Sequence, residues 1–249
     1  MSNHFKIIVP LYNVEKWIKY CIRSIKIQTH TDFECIIIDD ISTDNSQEII
    51  KNEIKDDNRF RLITNTEKKY ALKNIHDALI ECNPDDEDIV VTVDGDDWLS
   101  SKDVLKTVNE LYQTNGCWMT YGSYAEFPSK KRGKFSKQIP SHIIETNTYR
   151  KHEWCSSHLR TFKFHLWANI DKKDFINPKT NKFIKAAWDL AFMFPMLEMS
   201  AYKATYIKDI MYIYNRGNPL NEDKVNHNVQ LNEEKYIRNK KPYERISNG

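Results

Sequence analysis

Three carboxylates and one glycine follow directly on an apolar run, and their chemistry is the clearest in the sequence. The apolar run covers residues 89–93, and the polar run is Asp94-Gly95-Asp96-Asp97. Carboxylates this close repel one another unless a cation neutralises them, and oxygen ligands with open positions suit Mg²⁺ or Mn²⁺ bound to a diphosphate. A turn with a helix N-cap would need only one or two of these acids. The run therefore predicts a metal-diphosphate site.

Two more polar runs follow apolar ones in the first 45 residues. Asp39 and Asp40 follow the mostly apolar run 34–38, and residues 10–13 (Pro-Leu-Tyr-Asn) follow the mostly apolar run 5–9. Ligands of open parallel sheets bind beyond the carboxyl ends of the strands, so we expect all three polar runs to meet at one edge. Taken alone, the Asp39-Asp40 pair is equally typical of a helix cap or an Asx turn.

Glycine-rich phosphate loops are not part of this sequence. The chain has 6 Gly and contains neither G-x-x-x-x-G-K-[ST] nor a G-x-G-x-x-G after a strand. Those loops hold phosphate with backbone N–H groups. Metal and basic side chains must hold the diphosphate instead.

One acid stands in an otherwise apolar stretch of the second half. Asp189 lies within residues 187–192, where its neighbours are Ala, Trp, Leu, Ala and Phe. Apolar surroundings raise the pKa of a carboxylate toward a value that suits a general base. This setting makes Asp189 a candidate general base, although a helix N-cap is an alternative role for it.

Several further donors carry weaker expectations. His158 and Arg160 begin a helix predicted near residues 159–170, where their donors either face the bound ligand or form a solvated helix end. His152 and His158 have zinc-like spacing, but a structural zinc site needs four ligands and no second pair is evident. The basic run 130–134 is more typical of a solvated loop than of a binding patch.

Alternating strand and helix patterns must position these residues. Strands are predicted at residues 5–9, ended by a proline, and at 34–38, 60–64 and 88–93. Apolar residues at helical spacing lie between them, as at Val14, Trp17, Ile18, Cys21, Ile22 and Ile25. This alternation is typical of a mostly parallel sheet flanked by helices, so we predict an α/β fold.

The second half has a less regular pattern, and we interpret it as the acceptor side of a single domain. Strands are predicted at 117–124 and 205–214, and a helix near 187–198. We place the domain at residues 1–220, with a nucleotide-binding half at 5–115 and an acceptor half at 116–220. The polar residues 221–249 are predicted to form an extension that ends in an exposed tail.

Composition excludes several classes of protein. Lys and Arg total 37 against 35 for Asp and Glu in 249 residues, so the net charge of +2 indicates no nucleic-acid partner. The longest apolar runs are far shorter than the roughly 20 residues that span a bilayer, and no signal peptide is visible. We therefore expect a cytoplasmic protein without an integral membrane segment. Five scattered cysteines favour reduced, buried thiols over disulfides.

Taken together, three motifs resemble glycosyltransferase family 2, the GT-A type enzymes that use nucleotide-activated sugars. Residues 9–13 resemble its opening strand motif, residues 38–44 its "DDxSxD" segment, and residues 93–97 its DxD metal motif. The resemblance covers most of the chain and is strongest over residues 5–100. It implies a GT-A-like, Rossmann-type fold.

The same resemblance implies a role for each site residue. Those expected to bind the nucleotide-sugar are Pro10, Tyr12, Asn13, Asp39, Asp40, Lys73, Asp94, Gly95, Asp96, His158, Arg160 and Arg216. Within this set Tyr12 stacks on the base, Asp40 with Asp39 beside it bonds the base edge, and Lys73 contacts base or phosphate.

The implied metal is Mn²⁺ or Mg²⁺, with Asp96 and Asp97 as ligands, and the commonest nucleotide for such sites is uridine. The sequence departs from the family pattern in three places: Lys73 stands where Arg is usual, Ile41 where Gly is common, and no His follows Arg216 as a metal ligand.

The sequence thus predicts a metal-dependent, inverting glycosyltransferase that uses a UDP-sugar. The acceptor would be a glycan, a lipid or a protein, and the sugar is not specified. Two alternatives stay open: a Mg²⁺-dependent phosphotransfer enzyme, which would need an aspartyl nucleophile, and a non-catalytic module that binds a sugar nucleotide or glycan.

Overall fold

One large sheet organises the chain in a computed structural model, which describes residues 3–225 and 227–247. The strands are β1 (Phe5–Leu11), β2 (Phe33–Asp39), β3 (Phe60–Thr64), β4 (Ile89–Thr92), β5 (Trp98–Leu99), β6 (Met119–Phe127), β7 (Arg160–Lys163), β8 (Ile176–Asn177), β9 (Lys182–Phe183) and β10 (Ala204–Asn215). The α-helices are α1 (Ile18–Lys26), α2 (Ser46–Ile54), α3 (Tyr70–Cys82), α4 (Val104–Asn115), α5 (Ser141–Thr146), α6 (Phe164–Ala168), α7 (Trp188–Ser200), α8 (Glu222–Val225) and α9 (His227–Arg238).

The sheet is mostly parallel. Its order is β3-β2-β1-β4-β7-β6-β10-β5, and β8 and β9 pair separately. Four of the seven neighbouring pairs are parallel: β1 with β2, β2 with β3, β1 with β4, and β6 with β10. The strand β7 runs against both of its neighbours, and β5 runs against β10. The predicted α/β architecture is confirmed.

Two apolar cores cover the two faces of this sheet, because alternate residues of a strand point to opposite faces. On one face, Ile8 of β1 belongs to a core with Leu72 of α3 and with most of α7. On the other face, Ile7 of β1 belongs to a core with residues of α1 and α4, among them Ile18. Helices therefore flank the sheet on both sides.

Pro10 does not end the first strand, contrary to the prediction. The strand β1 continues through Pro10 to Leu11, where it pairs only with β2, because its pairing with β4 stops at Ile8. A proline is tolerated in a strand where no N–H group is required of it. Its carbonyl oxygen instead accepts a hydrogen bond from the Gly95 N–H at 3.2 Å.

The helix predicted near residues 159–170 is wrong in its first half. Arg160–Lys163 form the strand β7, and the helix α6 covers only Phe164–Ala168. Three successive residues of β7, from Arg160 to Phe162, are buried, which no one-sided surface helix allows. The gap between β4 and β6 supplies hydrogen-bond partners on both sides of the segment, and this pairing overrides its local pattern.

The C-terminal segment is held against the domain, although most of residues 241–247 are exposed to solvent. Ile237 of α9 is 1% exposed, and its carbonyl oxygen accepts a hydrogen bond from the buried Arg150 at 2.8 Å. Farther along, the Tyr243 N–H donates to Glu198 of α7 at 2.9 Å. Packing against α7 thus orders residues that composition alone marks as polar surface. Among the described helices, none combines the length and apolar character needed to cross a membrane.

Candidate active site

A single cleft of about 990 Å³ opens beyond the carboxyl ends of β1, β2 and β4. Ten of the fourteen different residues predicted for the site line it: Pro10, Tyr12, Asp40, Asp94, Gly95, Asp96, His158, Arg160, Asp189 and Arg216. Four do not: Asn13, Asp39, Lys73 and Asp97. The expected convergence at one sheet edge therefore holds for most of the set.

The acidic turn after β4 lies against β1. A Cβ atom built on Gly95 would come within 2.5 Å of the Leu11 Cβ, so this position admits only glycine without a shift of the backbone. The glycine lets the turn cross close to β1, and this crossing leaves Asp94 and Asp96 on the wall of the cleft.

The end of β10 holds the same turn from the other side. The Asn215 N–H donates to Asp97 Oδ1 at 2.7 Å, and Asn218 donates to Asp96 Oδ2 at 2.6 Å. The Tyr212 hydroxyl accepts a hydrogen bond from the Asp94 N–H at 3.0 Å. A strand more than one hundred residues later in the chain therefore fixes the acidic turn.

Crowding and burial shift these carboxyl groups toward their neutral forms. Burial raises the pKa of Asp94 to about 7, Arg160 opposes this rise, and Asp96 and Asp189 add to it. Burial followed by the charges of Asp96 and Asp94 raises the pKa of Asp97 well above its usual range. A bound cation would relieve this cost by favouring the ionised forms.

One group of potential metal ligands is compact among the described residues. Asp94, Asp97 and His158 each offer one ligand atom, and these atoms all lie within 4.8 Å of one another. The buried Asp97 Oδ2 has no hydrogen-bond partner among the described residues. Asp96 is not a member of this group.

His158 is a poorer ligand than the carboxylates. Its Nε2 lies 3.2 Å from Arg160 Nη2, which can only donate, so the neutral ring carries its proton on Nδ1. Burial and the charge of Arg160 lower the pKa of His158 well below its usual range, and the ring stacks on Tyr212 at 4.4 Å. The residues present therefore fit Mg²⁺ or Mn²⁺ through carboxylate oxygens.

The antiparallel direction of β7 brings Arg160 to the acidic turn. Arg160 is in register with Thr92, the last residue of β4, so the start of β7 lies beside the end of β4. Its Nη2 donates to Asp189 Oδ2 at 2.8 Å. The buried Nε and Nη1 of Arg160 have no partner in the part of the chain that the structure describes, and both are donors that suit an oxygen-rich ligand.

Asp189 lies in the first turn of α7 and is half-buried, in a helix whose other residues are all buried. The N-terminal end of a helix stabilises a carboxylate. The residues just before it are held by Glu233 of α9, which accepts from Lys185 N at 3.1 Å and from Ala186 N at 2.7 Å. The C-terminal helix thus helps to place Asp189.

Tyr12 and Asp40 also line the cleft, where they present a flat ring and a carboxylate. The Tyr12 side chain is 39% exposed. Burial alone would raise the pKa of Asp40, but hydrogen bonds from Lys69 N, Asn65 and Tyr70 N lower it. Asp40 is therefore an ionised acceptor beside an aromatic face.

Asp39 and Asn13 brace the loops that carry these two residues. Asp39 is fully buried and accepts from Gln47 Nε2 at 2.6 Å and from the Ser42 N–H. Asn13 adopts a φ of 52° and accepts from the Thr43 N–H at 2.8 Å. Neither lines the cleft, so both support it from behind.

Lys68 lines the cleft, whereas the structure does not bring Lys73 to it. Lys73 pairs with Asp77 one helical turn later in α3. The Lys68 ammonium lies 2.9 Å from the centre of the Tyr12 ring and 3.5 Å from Asp40 Oδ2. Nothing in the run of lysines at 68, 69 and 73 distinguishes the one that would reach the site.

Sequence reasoning also missed several partners of the predicted residues. They are Asn65 beside Asp40, Tyr212 and Asn215 on β10, Asn218 beside Asp96, and Glu233 on α9. The alternating pattern of residues 205–214 indicated a strand, but it could not indicate which loop the end of that strand would meet.

The arrangement suits transfer of a group from a diphosphate. Acids that fit a divalent ion, a guanidinium with unpartnered donors, a half-buried carboxylate and an aromatic face lie in one cleft. Such an ion stabilises the negative charge that develops on a departing diphosphate, and the carboxylate is a candidate proton acceptor.

Comparison with known proteins points to one family. Residues 6–190 match the model of Glycosyl transferase family 2. The chain is 27% identical to the uncharacterized glycosyltransferase EpsJ of Bacillus subtilis over 86% of its own length, and it spans 61% of that protein. It is 28% identical to an uncharacterized glycosyltransferase of Haemophilus influenzae, covering 84% of this chain and 94% of the other.

Solved structures show the same fold. TarS 1–349 of S. aureus in complex with UDP has a TM-score of 0.65 at 21% identity, over 87% of this chain and 61% of that one. The mannosyltransferase PcManGT of Pyrobaculum calidifontis, in complex with GDP-Man and Mn²⁺, has a TM-score of 0.65 at 18% identity, over 98% and 66%. These likenesses confirm the GT-A type of fold.

Proposed function

The chain belongs to glycosyl transferase family 2 and carries a glycosyltransferase domain, and we propose that it transfers a sugar from a UDP-sugar to a hydroxyl group of a glycan, lipid or protein. The observation that carries this proposal is the single cleft that joins Tyr12 and Asp40 to Asp94, Asp96 and Asp189. The complexes of TarS with UDP and UDP-GlcNAc and of PcManGT with GDP-Man support a nucleotide-sugar donor.

The donor would lie along the cleft from the aromatic end to the acidic end. Tyr12 would stack on the base, because its ring gives a flat apolar face. Asp40 would accept the imide N–H of uracil, because an ionised carboxylate is an acceptor only. Arg160 and Arg216, which both line the cleft, would contact the sugar and the diphosphate.

A divalent ion is part of this proposal. Asp94 and Asp97, whose ligand atoms lie within 4.8 Å of each other, and the predicted ligand Asp96, which lines the same cleft, would hold Mn²⁺ or Mg²⁺. When bound, the ion would neutralise the negative charge that develops on the diphosphate as its bond to the sugar breaks. The unpartnered Asp97 Oδ2 and the raised pKa values of Asp94 and Asp97 support a cation here, as does the Mn²⁺ in the PcManGT complex.

Asp189 would act as the general base in a single displacement. Its carboxylate takes the proton of the acceptor hydroxyl while that oxygen bonds to the anomeric carbon. The bond from this carbon to the diphosphate oxygen breaks at the same time, which releases the nucleoside diphosphate. Attack opposite the leaving group inverts the anomeric centre.

The second half of the chain would shape the acceptor side, in keeping with the division at residue 115. Besides the residues already named, this half contributes Tyr124, Glu126, Phe135 and Trp154 to the lining of the cleft. Three of these are aromatic and offer faces on which a sugar ring can pack.

Calorimetry with UDP and GDP, with and without Mn²⁺, tests the donor site, and turnover with a panel of UDP-sugars tests the reaction. We expect UDP binding that depends on Mn²⁺ and is lost in Asp96→Asn. Asp189→Asn should keep UDP binding but lose at least about 100-fold in turnover, the usual contribution of a general base. The exposed acid Glu153, changed to Gln, is the matched control for loss of charge.

The outcomes separate the parts of the proposal. If no nucleotide binds under any metal condition, the donor assignment falls, and the carboxylates are left to phosphotransfer or to structure. If Asp189→Asn turns over at the rate of the wild type, Asp189 is not the base.

A further inference from the structure

The Lys68 ammonium occupies the gap between Tyr12 and Asp40. It lies 2.9 Å from the centre of the Tyr12 ring, 3.5 Å from Asp40 Oδ2 and 3.3 Å from the Asp40 carbonyl oxygen. A base that stacks on Tyr12 and also bonds Asp40 needs this same space, because stacked atoms approach no closer than about 3.5 Å. The ammonium and such a base therefore exclude each other.

The donors around Asp40 show which of them can be exchanged. Asp40 Oδ1 accepts from Asn65 Nδ2 at 2.8 Å and from Lys69 N at 2.9 Å, and Oδ2 accepts from Tyr70 N at 2.8 Å. Two of these donors are backbone groups, and the third, Asn65 Nδ2, also donates a hydrogen bond to Asn74 Oδ1 at 2.7 Å. These three donors are therefore fixed in place. Lys68 makes the longest contact, and it does so from the end of a flexible four-carbon stem.

We propose that Lys68 closes the base subsite of the free protein and is displaced when a nucleotide base enters. The inference rests on the proposed function, because it takes Tyr12 and Asp40 as the base contacts. In the exchange, an N–H group of the base replaces the ammonium as the fourth donor to Asp40. Both Lys68 and this N–H are donors, so the carboxylate stays satisfied in either state.

This exchange lowers the apparent affinity for every nucleotide, because only the fraction of molecules with an open gap can bind. Lys68→Ala empties the gap and should therefore lower the Kd for UDP by about three- to tenfold. Lys68→Arg keeps a cation in the gap and should stay within about twofold of the wild type. Lys55→Ala, which removes an exposed charge at the end of α2, is the control for net charge.

A second measurement reads the position of Lys68 directly. In protein labelled with ¹³C-lysine, the ring current of Tyr12 should shift the Cε–H signals of Lys68 upfield. Lys68→Ala removes that signal and so assigns it, and Tyr12→Leu should abolish the shift. Saturation with UDP should return the signal to the position of a solvated lysine.

Three results would contradict the proposal. Weaker UDP binding in Lys68→Ala would make Lys68 a ligand of the nucleotide rather than its competitor. A signal that stays upfield with UDP bound would place Lys68 on the ring face away from the base. Equal UDP affinity in Lys68→Ala and wild type would remove only this inference, whereas absence of nucleotide binding in both proteins would remove the proposed function.

Discussion

Gly95 shows at the scale of one residue how closely the acidic turn is fitted to β1. The carboxylates on either side of it line the cleft, and the glycine itself has no room for a side chain. The chemistry of the site therefore depends on a position that carries no functional group.

Gly95→Ala should lower the free energy of unfolding by about 1–3 kcal/mol, the usual cost of overpacking a filled site. It should also weaken Mn²⁺-dependent UDP binding, because the turn must move away from Leu11 and take Asp94 and Asp96 with it. Urea denaturation and calorimetry measure the two effects.

Gly116→Ala is the matched control for this change. Gly116 has a φ of 59° at the end of α4, and no atom lies within 4 Å of the Cβ that would be added. It should cost stability through backbone strain and leave UDP affinity unchanged. Equal UDP affinity in Gly95→Ala and wild type would show that the turn tolerates the added carbon.

At the scale of an element, the short strand β7 contributes both to the sheet and to the candidate active site. It joins the parallel strands β1 to β4 to the pair β6 and β10, and it carries Arg160 to Asp189. Its centre is held by a buried chain of hydroxyl groups, in which Thr161 Oγ1 lies 2.9 Å from the Tyr112 hydroxyl and 2.6 Å from Thr120 Oγ1.

Thr161→Val keeps the shape of the side chain but removes the hydroxyl that the other two groups share. It should lower the free energy of unfolding by about 1–3 kcal/mol, since buried polar groups lose a partner. Thr161→Ser keeps the hydroxyl and loses one methyl group, at about 0.8 kcal/mol. If thermal unfolding ranks Thr161→Ser as the less stable variant, packing rather than hydrogen bonding holds β7.

At the scale of the whole molecule, the C-terminal helix reaches back to the cleft. Glu233 is 6% exposed and accepts from Ala186 N, from Lys185 N and from Asn177. Ala187, which follows Ala186 in the chain, has a φ of 50°, an unfavourable conformation for a residue with a Cβ. The helix α9 thus stabilises a strained turn directly before Asp189.

Glu233→Ala should leave two backbone N–H groups without their acceptor and cost about 1–3 kcal/mol of stability. Because the affected turn precedes Asp189, turnover should fall more than UDP affinity. Glu244→Ala, an exposed acid farther along the same segment, is the control and should change neither quantity. If Glu233→Ala turns over at the wild-type rate, α9 does not help to position Asp189 for catalysis.

The sequence alone determined the fold class, the position of most elements and ten of the residues that line the cleft. The fold class and the elements follow from local signals: apolar runs predict strands, helical spacing predicts helices, and polar residues at the carboxyl ends of parallel strands must meet at one edge. Several of the ten residues, Arg216 among them, and the binding roles were predicted through the resemblance to the family. The family model confirms the family, and the similar structures confirm the fold.

Only the tertiary structure decided the rest, because these features depend on partners that are distant in the chain. The hydrogen bonds between strands made a strand of residues 160–163, and packing against α7 ordered the C-terminal segment. Of two similar lysines, Lys68 reaches Tyr12 whereas Lys73 pairs with Asp77. Local sequence carries the type of a side chain, but the neighbours that give it a role come from the packing of the whole chain.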